Sequence, residues 1–192
     1  MDLSDLLVPI GILSSIVVIA LIVAYLFNRL QRYQNAAEAN LSQIQVAMKK
    51  RLDLIDQLLE AVKGYIRYEK EVVITLATMR SRVMGSSTSG LREIDRTSRS
   101  FASALVAIAE AYPDLKAQTI VQRLMDALVE VEDEIARHRY TYNNIVQEIN
   151  TMVDTLPSSA VARLTGLEKQ AYLSFEDAVA AAPSIEGIGN NG

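Results

Sequence analysis

Residues 6–27 read LLVPIGILSSIVVIALIVAYLF, a run of 22 residues without a charged side chain. As an α-helix rising about 1.5 Å per residue, this run is roughly 33 Å long, enough to cross a bilayer core of about 30 Å. A cleaved signal peptide is the competing interpretation. The acidic Asp2 and Asp5 before the run count against it, as does a length beyond the roughly 7–15 apolar residues of a signal core. The sequence therefore predicts a transmembrane helix within residues 1–28.

The charges that flank this run predict its orientation. Arg29 and Arg32 follow the run, whereas only acidic residues precede it. Lys and Arg are retained on the cytoplasmic side of a membrane. We therefore expect a single pass through the lipid bilayer, with a short N-terminus outside and residues 29–192 inside.

The composition excludes several classes of site. The chain has no cysteine and no tryptophan, so it forms no disulfide and no cysteine-ligated metal centre. Residues 29–192 contain 19 basic and 21 acidic side chains, a net charge of −2. Proteins that bind nucleic acid carry a basic surface, so we expect no nucleic-acid partner.

Beyond the apolar run, apolar residues recur at alternating spacings of three and four, the pattern of a coiled-coil-like helix. In the first stretch these heptad positions are Leu41, Ile44, Met48, Leu52, Ile55, Leu59, Val62, Ile66, Val73, Leu76, Met79 and Val83. No proline lies between Pro9 and Pro113, and no glycine between Gly11 and Gly64. The pattern therefore predicts that the membrane helix continues to residue 84 as one rod of roughly 120 Å, with Gly64 as its weak point.

Two further helices are predicted after the turn Gly85-Ser-Ser-Thr-Ser-Gly90. They cover residues 91–112 and 113–156, separated by Pro113, which suits the first position of a helix. Three amphipathic helices with short connections predict an all-α fold. We expect a transmembrane helix continuous with a long antiparallel three-helix bundle over residues 29–156, followed by a short helix and a flexible tail in 157–192.

The charges of these helices predict which of them pack together. Residues 29–84 hold ten basic and six acidic side chains, net +4, whereas residues 113–156 hold four basic and eight acidic ones, net −4. Opposite charges along helix flanks select partners, so the first and third helices are expected to pair. The basic cluster Lys49, Lys50 and Arg51 is interpreted as a surface for acidic residues of a neighbouring subunit.

Several separated sequence motifs lie on these helices. They are Ser42-Gln43-Ile44, RLDLIDQLLEAVKGYIRYE (51–69), AYPDLKA (111–117), EDEIARHRYTYNNIVQEIN (132–150), Leu156-Pro157 and Leu164-Thr165-Gly166-Leu167. In these motifs the chain resembles the LemA family of bacterial and archaeal membrane proteins. It departs from the family at Asp56-Gln57, where the family has Pro-Asn, and this departure favours a straighter first helix. The resemblance implies a helical bundle at the cell (inner) membrane of a prokaryote, without an assigned catalytic group.

The sequence contains no pattern that predicts catalytic, cofactor-binding or metal-binding residues. His138, the single histidine, falls on the heptad pattern of the third helix, where packing is the commoner role. The run Glu130 to Glu134 is typical of a solvated helix face. Glu69 and Arg139 match the family pattern, and we hypothesise a salt bridge between them. Two separately solvated charges are the alternative.

These features predict a non-enzymatic membrane scaffold that self-associates. Small residues at helical spacing in the membrane helix allow close packing in lipid; they are Gly11, Ser15, Ala20 and Ala24. The long first helix is expected to leave part of its apolar stripe uncovered by its own chain. An accessory subunit or adaptor of another membrane complex, such as a protease or signalling receptor, is the alternative. An enzyme would require a buried polar cluster in a pocket.

Overall fold

The computed structural model describes residues 3–65 and 70–174, which form six α-helices and no strand. The helices are α1 (Leu3–Val62), α2 (Lys70–Arg82), α3 (Thr88–Ala111), α4 (Pro113–Lys116), α5 (Thr119–Asp154) and α6 (Ser158–Leu164). The all-α class predicted from the heptad pattern is confirmed.

Helix α1 is continuous for 60 residues, roughly 90 Å by helical rise, and has two different environments. From Pro9 to Tyr25 every residue is exposed. From Leu30 to Val62 one stripe is buried, consisting of Leu30, Ala37, Ile44, Ala47, Met48, Leu52, Ile55, Leu58, Leu59 and Val62. The predicted continuity between the apolar segment and the bundle is therefore present in a single helix.

The expectation that this helix continues to residue 84 is wrong. Helix α1 ends at Val62, turn residues follow to Tyr65, and α2 packs back on α1. The Arg80 guanidinium on α2 lies 2.6 Å from the Asp53 carboxylate on α1. A glycine costs a helix about 1 kcal/mol, and Gly64 is one of the turn residues after α1. The chain reverses between Val62 and Lys70, and α2 then buries Leu76 and Met79 in the core of its own chain.

Helix α5 runs along α1 in the opposite direction. Arg29 near the start of the bundle faces Glu148 at 3.8 Å, and Lys50 further along α1 faces Glu134 at 3.1 Å. As the residue number rises on α1 it therefore falls on α5. Both ion pairs join a basic α1 to an acidic α5, which is the pairing that the opposite net charges predict.

The third predicted helix is divided into two, because the chain turns between α4 and α5. Pro113 occupies the start of α4 as predicted, and Leu115 within this short helix is fully buried. Helix α5 then begins at Thr119. Between α2 and α3, Gly85 has a φ of +82°, a left-handed backbone conformation that glycine adopts without a steric penalty.

The segment after α6, residues 167–174, is held against α5 by two asparagines. Asn143 donates to the Leu173 carbonyl at 3.1 Å and accepts from its amide at 2.8 Å. Asn150 makes the same pair of bonds with Gln170 at 3.0 and 2.8 Å. This part of the expected flexible tail is therefore ordered by hydrogen bonds, whereas residues 175–192 lie outside the described residues.

Replacing Asn143 by Ala should release this segment. The variant removes both partners of the Leu173 backbone, and an unpaired buried polar group costs about 1–3 kcal/mol. We expect faster amide exchange at Leu173, measured by hydrogen–deuterium exchange mass spectrometry. Asn144→Ala is the matched control, since the neighbouring Asn144 is exposed. Equal exchange rates in the two variants would contradict the assigned role of Asn143.

Candidate functional site

The largest fully buried side chain in the described part of the chain is that of Arg51, on the buried stripe of α1. Its Nη1 atom lies 2.8 Å from Oδ1 of Asp95 on α3 and 2.9 Å from Oε1 of Glu132 on α5. Its Nη2 atom donates to the Ser98 hydroxyl at 2.6 Å. One guanidinium therefore joins three helices in the interior.

A second arginine extends this cluster to the surface. Nη2 of Arg99 lies 3.4 Å from Oδ2 of Asp95 and 3.7 Å from Oε2 of Glu132. The side chains of Arg99 and Glu132 are about one-third exposed, at 36% and 33%, whereas that of Asp95 is 4% exposed. Two cations and two anions thus form a neutral network, the Arg51 network, that runs from the core to solvent.

The chemistry available to the Arg51 network is limited. An arginine guanidinium stays protonated in proteins and donates hydrogen bonds in a fixed planar geometry. Both carboxylates of the network are already paired with arginines. The arrangement is therefore suited to fixing the relative positions of α1, α3 and α5, and it holds no free base for proton transfer.

The interpretation of Lys49, Lys50 and Arg51 as a surface for another subunit is wrong for Arg51. That side chain is fully buried, and Lys50 pairs with Glu134 of its own chain. One feature of the sequence does indicate that Arg51 is buried. Ser98 is a polar residue at a heptad position of the second predicted helix. A hydroxyl at a core position indicates a buried polar partner.

Two other predicted residues lie on α5, and one of them, Arg139, lines the same surface cavity as Arg99 and Glu132 of the Arg51 network. His138 is partly buried on α5. Arg139 is partly buried on the same helix, and Glu69 lies outside the described residues, so the salt bridge between them stays a prediction. Among the described residues no group of three or more His, Asp or Glu side chains is placed to hold a metal ion.

The small residues predicted to pack in the membrane are all exposed on α1; they are Gly11, Ser15, Ala20 and Ala24. The hydroxyls of Ser14 and Ser15 both donate to the Gly11 carbonyl at 2.9 Å. These serines therefore satisfy their donors within the helix. A methyl group added at Gly11 would meet no atom within 4 Å, so this face of the helix is open.

An open groove of about 550 Å³ lies between α3 and α5. Its apolar lining includes Ala102, Val106, Met125, Leu128 and Val129. Charged side chains at its edges are Arg99, Glu110, Asp126 and Glu132. The groove combines an apolar floor with charges of both signs, which is the composition of a surface for an amphipathic helix.

These observations define a class, an all-α bundle whose first helix carries an exposed apolar segment. One window of that helix has a mean hydropathy of 2.8 and is long and apolar enough to cross a membrane. The sequence model of the LemA family matches residues 40–186. The chain belongs to the LemA family.

Individual relatives agree with this assignment. The chain is 28% identical over 138 residues to protein LemA of Metamycoplasma hominis. This match covers 71% of this chain and 63% of that protein. It is 31% identical over 74 residues to the magnetosome proteins MamQ 1 and MamQ 2 of Paramagnetospirillum magneticum. That match covers 38% of this chain and 27% of each MamQ protein. The chain thus spans less than two thirds of the length of these relatives.

Replacing Arg51 by Ala should strongly destabilise the bundle. The substitution leaves the buried Asp95 with only the 3.4 Å contact to Arg99, and breaking a buried ion pair costs about 3–5 kcal/mol. Urea unfolding of the full chain in mild detergent, followed by far-UV circular dichroism, measures the loss.

Lys50→Ala is the matched control, because it removes the same charge from the adjacent residue. Its pair with Glu134 is solvent-exposed, so the expected loss is about 1 kcal/mol or less. If both variants lost the same free energy of unfolding, the Arg51 network would not hold the three helices together.

Proposed function

We propose that this chain is a non-enzymatic, single-pass, membrane-anchored helical scaffold that self-associates. The observation that carries the proposal is the exposure of residues 9–25, the apolar half of α1. Every large apolar side chain from Ile10 to Tyr25 is 41–65% exposed. A surface of this size is unfavourable in water, and a helix satisfies its own backbone hydrogen bonds in lipid. This half of α1 is therefore suited to a bilayer.

The proposed orientation places the N-terminus outside and the bundle in the cytoplasm. Arg29 and Arg32 lie at the point where α1 enters the bundle, which suits the cytoplasmic side. The ring of Tyr33 lies 5.7 Å from the Arg29 guanidinium. Aromatic and basic residues together are typical of a membrane–water interface. The cell (inner) membrane of a prokaryote is the location that the family resemblance implies.

Two surfaces support self-association. One lies in the apolar half of α1, where two exposed pairs of small residues, Gly11/Ser15 and Ala20/Ala24, are each spaced by one helical turn. At 3.6 residues per turn the two pairs lie on opposite sides of the helix. The other surface is the groove between α3 and α5. The stripe on α1 that was expected to remain uncovered is instead buried by its own chain, with Ile44, Met48 and Ile55 all at 0% exposure. The surface available to a second copy is therefore on α3 and α5.

The Arg51 network supports a structural role over a catalytic one. Both of its carboxylates are paired with arginines, and the Ser98 hydroxyl accepts a hydrogen bond from Arg51, so the polar groups of this cluster are engaged with one another across three helices. This chemistry favours a scaffold that presents surfaces to partners.

Light scattering coupled to size exclusion in mild detergent tests self-association. We expect a dimer or a larger assembly of the full chain. Gly11→Leu places a large side chain beside Ser15 and should raise the dissociation constant about tenfold, equivalent to about 1.4 kcal/mol. Ile12→Leu is the control, because it changes only the shape of the exposed side chain next to Gly11. It should leave the dissociation constant unchanged.

A purely monomeric chain at all concentrations would contradict the proposal. Purification from native membranes separates the proposal from its alternative. A second, different protein recovered in stoichiometric amount, with no assembly of this chain alone, would favour an adaptor of another membrane complex.

A further inference from the structure

The segment 156–164, which contains the turn after α5 and helix α6, carries at its two ends the most exposed large apolar side chains of the described residues. These are Leu156 and Leu164, each 83% exposed, more than any large apolar side chain from Ile10 to Tyr25. Leu156 follows the end of α5, and Leu164 is the last residue of α6. Full exposure of two leucines on one corner of a bundle requires an explanation.

This corner lies at the end of the bundle next to the apolar half of α1. Leu30 of α1, Met152 of α5 and Ala162 of α6 form one buried cluster. Leu30 is three residues beyond Phe27, the last residue of the apolar run. Because α5 runs antiparallel to α1, the chain beyond Met152 leads towards that run. Leu156, four residues after Met152 and beyond the end of α5, lies at this end of the bundle.

We infer that Leu156 and Leu164 enter the headgroup boundary of the bilayer that α1 crosses. The inference rests on the proposed membrane anchoring, and it adds a second lipid contact formed by the bundle itself. An interfacial segment places apolar side chains roughly 5–10 Å into the boundary and keeps basic side chains at the headgroups. Arg163, exposed beside Leu164, supplies such a basic group.

Lipid is the occupant that the position of this corner favours. The corner is next to the membrane-spanning segment, since Leu30, which packs with Met152 and Ala162, lies three residues beyond the apolar run. Exposed Tyr25 at the same level suits the interfacial aromatic belt. Two contacts, one through α1 and one through the corner, would fix the tilt of the bundle relative to the membrane.

Single introduced cysteines can test this contact, because the chain has none of its own. Leu156→Cys and Leu164→Cys replace exposed side chains and disturb no packing. Each variant of the full chain is spin-labelled and reconstituted in vesicles of phosphatidylcholine and phosphatidylglycerol. Power saturation then compares how often the spin label collides with oxygen, which concentrates in lipid, and with a nickel chelate, which stays in water.

Two control positions calibrate the measurement. Ile19→Cys reports on the apolar half of α1. Ile120→Cys reports on an exposed site of α5 outside the groove between α3 and α5. It lies 32 residues before Met152, roughly 48 Å along the helix. We expect labels at 156 and 164 to favour oxygen over nickel at least several-fold more than the label at 120, and less than the label at 19.

The outcomes separate this inference from the anchoring on which it rests. If the label at 19 favours oxygen while the labels at 156 and 164 match the label at 120, the corner inference is overturned and the anchor stands. If the label at 19 favours nickel, both are overturned. If labels at 156 and 164 are shielded from both reagents, protein covers the corner and the lipid contact is overturned.

Discussion

The structure depends on one continuous helix that faces two environments. In α1 the exposed apolar half and the buried stripe belong to the same 60-residue helix, and the change occurs within about one turn, between Leu26 and Leu30. Helices α2, α3, α5 and α6 all pack against its second half. The bundle is thus assembled directly on the helix proposed to cross the membrane, so the position of α1 determines the position of every other helix.

The Arg51 network determines how the helices are arranged around α1. A buried ion pair contributes little net stability, because desolvation offsets much of its attraction. Leaving one of its charges unpaired is costly, so alternative alignments of α3 and α5 on α1 are penalised. In this molecule only the observed alignment brings Asp95 and Glu132 to the same guanidinium. The network therefore favours one arrangement among several that the apolar stripes alone would allow.

Much of the fold is predictable from the sequence because its signals are local. Heptad spacing predicts the helices, and opposite net charges predict that α5 packs on α1. The break after Val62 is less predictable, since Gly64 weakens a helix without determining where it ends. The partners of Arg51 lie 44 and 81 residues away, at distances along the chain where no periodic pattern connects them. The segment 167–174 has no heptad periodicity, and its contacts are with distant residues: Asn143 and Asn150 bond its backbone, and Leu173 is buried in the core.

The scaffold proposal and the corner contact both follow from the continuity of α1. A rigid passage from lipid to bundle would keep the α5–α6 corner at the interface and hold the α3–α5 groove at a fixed height above it. Hydrogen–deuterium exchange of the full chain in lipid nanodiscs tests this continuity most directly. We expect slow exchange throughout residues 20–40, with no faster peptide between the apolar half and the bundle. Fast exchange confined to residues 26–34 would reveal a hinge and contradict it.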